Sequence, residues 1–140
     1  MAMQLLLRSL HLFGAILWVG GISAVAIVAV ALPERVQKEA IGAVRGAVTR
    51  VATPGMILSF IGGLGMLLPN FTTVYARQGW MHAKLLLVIV AAGLTGAISG
   101  SIRKAAAGDK ALAVGSIRGM GLALALIGLF TVILAIFRPF

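Results

Sequence analysis

Two histidines and one lysine, His11, His82 and Lys84, are the side chains of this sequence best suited to chemistry, because each lies within or beside a long apolar run. An ionisable group in such a run is costly, and it is expected to face a bundle interior or a polar cavity. His11 is the clearest case, the only strongly polar side chain from Ser9 to Leu32. On a helix, Gly14 and Ala15 follow one turn later on its face and Trp18 two turns later. Small residues there leave room beside the imidazole for a flat ligand, and the aromatic closes the far end. Neutral imidazole is a standard axial ligand for haem iron. The plainer alternative for His11 is a hydrogen bond to another helix or to interfacial water.

His82 belongs to the segment Gln78-Gly79-Trp80-Met81-His82-Ala83-Lys84, where Trp80 suits a membrane interface and Lys84 is able to snorkel outward. Residues two apart on a helix differ by about 200°, so His82 and Lys84 cannot both point squarely into one cavity. If His82 faces His11, two imidazoles sandwich an iron. If Lys84 faces inward, its ammonium pairs with a propionate or another substrate carboxylate. Spacing leaves both arrangements open.

Other chemistries find less support. Without cysteine there is no disulfide, no thiolate metal site and no covalent c-type haem attachment, so any haem is held noncovalently, as haem b is. Met56 and Met66 are soft enough for copper, but such methionines more often pack. No GxGxxG unit, P-loop, HExxH or intramembrane acidic pair occurs. Asp109 and both glutamates lie in basic connections, which argues against carboxylate-driven proton transport. A redox role therefore has to borrow its electron carrier.

The elements that must position these residues are apolar helices. Of the 140 residues, 61% are hydrophobic and 11% charged, against about 25% charged in an ordinary soluble domain. The excess has to face lipid. The expected fold is an all-α, integral membrane four-helix bundle in a single domain over residues 1–140, with spans about 5–32, 51–68, 80–101 and 119–137. The first apolar run is longer than the roughly 7–15 residues of a cleavable signal, so it is read as a span. Residues 34–50 form an amphipathic extension of span two. Val36, Ala40, Val44, Ala47 and Val51 make its apolar side, Arg35, Lys38, Glu39, Arg45 and Arg50 its wet side. Pro54 is expected to bend the helix that follows, and Pro69-Asn70 to stop it.

The net charge of +9 is spread through the connections with no aromatic-interleaved basic patch, so it reflects membrane topology and not nucleic acid. Lys and Arg number four after span one, one after span two and four in residues 102–118. The positive-inside rule then places residues 34–50 in the cytoplasm and both termini on the periplasmic side. His11 and His82 share that side. Glycines in spans two, three and four, Gly96-x-x-x-Gly100 among them, read as helix-packing positions, and they permit a homo-oligomer.

Three stretches carry a resemblance: Thr53-Pro54-Gly55-Met56, Gly79-Trp80-Met81-His82-Ala83-Lys84-Leu85-Leu86-Leu87-Val88, and the terminus from Val132-Ile133-Leu134 to Arg138-Pro139-Phe140. With Leu10-His11, Trp18 and Gly21 they resemble the HemJ-type protoporphyrinogen oxidases. Copper-resistance proteins of the CopD type share a looser version of the layout. The HemJ resemblance implies a multi-pass protein of the bacterial inner membrane that binds haem b and oxidises protoporphyrinogen IX, a tetrapyrrole, passing electrons to quinone. It also implies His11 as axial ligand and Lys84 as the second residue needed for activity, with Trp80 and His82 as motif members. The alternatives are a haem-carrying electron-transfer or structural subunit without catalysis, and a CopD-like copper protein.

Overall fold

The computed structural model describes residues 1–139, and these are helical except at short connections. Helix α1 spans Ala2–Ala31, α2 Glu34–Tyr75, α3 Gly79–Ala106 and α4 Val114–Phe137. Each is long and apolar enough to cross a membrane. No strand occurs among the described residues.

The first connection follows from Pro33. A proline pushes the preceding residue out of the α region, and Leu32 is extended at ψ 139°. The carbonyl of Leu32 accepts from the Gln37 side chain at 2.7 Å, and that of Pro33 from the Gln37 backbone N–H at 2.9 Å. A new helix therefore begins at once.

Helix α2 is continuous beyond the expected stop at Pro69-Asn70. A π turn at Val48–Ala52 precedes Pro54, whose missing N–H loosens the ladder there. At the other end a tight turn, Leu68–Asn70, carries Pro69 near its start, where the missing N–H costs least. The Asn70 side chain donates to the Met66 carbonyl at 3.2 Å, and the chain winds on to Tyr75.

The amphipathic extension does not stand alone in solvent. Its first turns lie along the C-terminal half of α3, and Val44, Val48 and Ala52 are the buried positions. Val36 and Val51, expected on the apolar side, are exposed. The π turn adds a residue between the two halves of the helix and shifts the face that continues. The five charged residues assigned to the wet side are all exposed, with Glu34–Lys38 and Arg35–Glu39 pairs at 3.3 and 3.8 Å.

Helices α1 and α2 run antiparallel with their backbones almost touching. A Cβ built on Gly62 would lie 2.6 Å from the His11 backbone nitrogen, and one on Gly55 would lie 2.8 Å from that of Trp18. Such approach is available only to glycine. Helix α4 packs on α1 through side chains instead, with Gly121 against the Ala26 Cβ and Gly128 against Val19. By contrast Gly93, Gly96 and Gly100 of α3 face open space, so the Gly96-x-x-x-Gly100 pair packs against nothing within the chain. Ile22, Ile98, Ile102, Ile117 and Leu124 fill the centre, while Ile16, Leu86, Ile89 and Ile136 are more than 60% exposed. The outer surface is thus as apolar as the interior, the reverse of a water-soluble bundle.

Candidate functional site

The start of α1, the second half of α2, the start of α3 and the end of α4 line a half-open cavity of about 380 Å³. That volume falls within the roughly 300–1,000 Å³ usual for small-molecule sites. Its wall is largely apolar and aromatic, including Trp18, Phe60, Tyr75 and Trp80. Into this wall project His11 and three cations, Arg8, Lys84 and Arg138.

His11 is oriented by α2. Its Nδ1 lies 2.8 Å from the Ser59 carbonyl oxygen and 3.2 Å from the Ser59 hydroxyl. A carbonyl only accepts, so Nδ1 carries the proton and donates, and Nε2 keeps its lone pair. A backbone carbonyl holding one ring nitrogen of a histidine is the usual outer support of a metal ligand: it fixes the tautomer and raises the basicity of the other nitrogen. The seat for the ring is Gly63, where a Cβ would lie 2.9 Å from Nδ1 and 3.1 Å from Cε1. Any side chain there would displace the imidazole.

Gly14 serves a different purpose from the one its spacing suggested. Its face is occupied by the α2 backbone, with a built Cβ 2.6 Å from the Gly55 carbonyl oxygen, so it admits a helix and leaves no room for a ligand. Trp18, two turns beyond His11, does line the cavity and is buried. The π turn Ile16–Gly20 contains it. Its Nε1 donates to Thr95 Oγ1 at 2.9 Å, and that hydroxyl donates in turn to the Ala91 carbonyl at 2.9 Å. Phe60 packs on the indole at 5.6 Å between centroids.

At the start of α3 the arrangement with Lys84 inward is the one adopted. Lys84 and Trp80 line the cavity, whereas His82 is exposed and outside it. His82 Nε2 donates to the Ala76 carbonyl at 3.0 Å, and its ring meets Phe71 edge-on. His82 is therefore not brought to His11 as a second ligand; it closes the connection between α2 and α3. Trp80 is buried, edge-on to Tyr75, with the Arg138 guanidinium 5.5 Å above its ring.

Spacing alone missed Arg8, Ser59, Gly63, Thr95 and Arg138. Arg8 carried a signal, standing three residues before His11 and so on its helical face. Ser59 acts through its backbone, which no side-chain pattern reveals.

No protein-family model, no curated protein and no solved structure matches the chain.

Proposed function

We propose that the protein is an integral membrane haem b protein in which His11 Nε2 is the axial ligand. The observation that carries this reading is the His11 seat: Nδ1 is committed to the Ser59 carbonyl and Nε2 is left with its lone pair beside an apolar, aromatic-walled cavity. Among the described residues no group of three His, Cys, Asp or Glu side chains forms a bare metal site. A single imidazole suffices when the remaining donors belong to a macrocycle, as they do in haem. The residues present fit that group: His11 would hold the iron, and Trp18, Phe60 and Trp80 would offer flat apolar surface to the ring. Haem, when bound, supplies a one-electron carrier that the side chains lack.

The apolar outer surface of the bundle supports insertion in the bilayer. Eight lysines and arginines, from Arg35 to Arg50 and from Arg103 to Arg118, lie at the end away from the cavity. By the positive-inside rule that end is cytoplasmic, in a bacterial inner membrane, and the cavity and both termini are periplasmic. The activity that accords with the HemJ resemblance is oxidation of protoporphyrinogen IX, with Lys84 beside the substrate and quinone as electron acceptor.

Purified protein is expected to show a Soret band and, on reduction, an α band at the b-type position. A colourless preparation that binds copper through His11 and the cavity methionines Met66 and Met81 would replace haem with the copper reading. Complementation of a strain lacking protoporphyrinogen oxidase separates catalysis from carriage. Growth supports the oxidase; failure of a well-expressed, haem-loaded protein leaves a haem-carrying subunit.

A further inference from the structure

The cavity carries a charge pattern that iron ligation leaves unexplained. Three cations, Arg8 of α1, Lys84 of α3 and Arg138 at the end of α4, come from three separate helices to one cavity, and among the described residues no acidic side chain lines it. The acidic side chains of the sequence are Glu34 and Glu39, in the first turns of α2, and Asp109, in the connection between α3 and α4, all toward the opposite end. From Lys84 to Ala106, the last helical residue before Asp109, the rise alone is about 33 Å, so these acids do not reach the cavity cations.

Arg138 is also held in place at a cost. Its φ of 44° and ψ of 59° put a non-glycine residue in the left-handed region, immediately before a proline. Its backbone N–H closes the last turn of α4 on the Leu134 carbonyl at 3.1 Å. Continuing the helix would carry the next side chains away along the axis. The Arg138 guanidinium lies over Trp80, 5.5 Å from the ring. Strained backbone of this kind persists where the surroundings over-determine it, typically at ligand clamps.

We infer that Arg8, Lys84 and Arg138 form a carboxylate-receiving rim, so that the cavity takes a flat amphiphile bearing two carboxylates and orients them toward this end. The inference rests on the haem reading for the class of occupant and adds the residues that fix its direction. Arg138 and Arg8 are positioning residues: a guanidinium meets a carboxylate in a bidentate fork, and Lys84 contributes a point charge beside them.

The test uses metal-free protoporphyrin IX and its dimethyl ester, which have one ring system and differ in the carboxylates. Binding to the full chain in neutral-lipid nanodiscs is followed through quenching of Trp18 and Trp80. The wild type should bind the diacid at least about tenfold more tightly than the diester, the order expected for charge-assisted hydrogen bonds. Arg138→Gln should reduce that ratio and Arg8→Gln/Arg138→Gln should bring it near unity, with diester affinity unchanged as the measure of an intact cavity. Equal affinities in the wild type, or an unaltered ratio in the double variant, would overturn the rim. Loss of diester binding with the diacid would too, since the arginines would then be shaping the cavity. If nanodiscs containing an anionic phospholipid erase the preference, the cations belong to a lipid phosphate and the inference fails. Because the probes lack iron, these results stand apart from the His11 reading, which is tested separately by adding haem and fails if the Soret band is indifferent to His11→Ala.

Discussion

His11 and His82 occupy matching places, each near the start of an apolar helix at the same end of the bundle, and they are used in opposite ways. Around His11 the neighbouring helix presents Gly62 and Gly63, the backbones approach closely, and the imidazole reaches the Ser59 carbonyl. That contact takes the ring nitrogen facing α2 and leaves the other beside the cavity. Around His82 only the end of α2 is near, and the side chain stays exposed. Its Nε2 is consumed by the Ala76 carbonyl six residues earlier, and the ring rests on Phe71 at the surface. The two histidines thus differ through what is packed against them, and their similar depth in their own helices does not distinguish them.

The most disruptive way to break the contrast is Gly62→Val. Its Cβ would lie 2.5 Å from the Leu7 carbonyl and 2.6 Å from the His11 nitrogen, both backbone atoms with nowhere to move. Folded protein should fail to accumulate in the membrane. Gly96→Val, where nothing lies within 4 Å, should accumulate as the wild type does. Quantitative immunoblots of membrane fractions compare the two.

A smaller intrusion at the neighbouring glycine sharpens the role of the seat. Gly63→Ala puts a methyl 2.9 Å from His11 Nδ1, and the side chain is free to yield where a backbone is not. The fold should survive, while haem affinity drops by about tenfold or more through misplacement of the ligand, as small displacements at such supports commonly do. Haem titration against far-ultraviolet circular dichroism separates the two effects.

Beyond the histidine, Thr95→Val removes the acceptor for Trp18 Nε1 and strands a buried N–H, at a cost of about 1–3 kcal/mol. Thermal unfolding in detergent should register that loss, and Thr95→Ser should restore most of it. The least effect is expected from His82→Ala, which gives up one exposed hydrogen bond worth about 0.5–1.5 kcal/mol and leaves haem spectra unchanged.

Much of this architecture was legible in the sequence, for identifiable reasons. The four apolar helices, the break at Pro33 and the shared end of His11 and Lys84 follow from hydropathy, proline chemistry and the distribution of basic residues. Periodicity fell short where it was interrupted. Val44 is buried as its spacing indicates, but from the π turn at Val48–Ala52 onward the buried positions are Val48 and Ala52 and not Val51, and no count of three- and four-residue steps registers an inserted residue. Glycine spacing was likewise ambiguous. Gly14 and Gly96 look alike in sequence, but one meets a helix and the other meets nothing, because contact depends on which faces the bundle turns inward. The choice between His82 and Lys84 lay beyond a rule that allows only one of them inside. It is made by the Ala76 carbonyl, which holds His82 at the surface and leaves Lys84 facing the cavity.

The most direct measurement is a parallel haem titration of the wild type, His11→Ala and His82→Ala, each purified in the same detergent and read in the Soret region. The account predicts that His11→Ala loses the b-type spectrum and that His82→Ala keeps it at wild-type affinity. A spectrum that survives His11→Ala, or that disappears with His82→Ala, would contradict it.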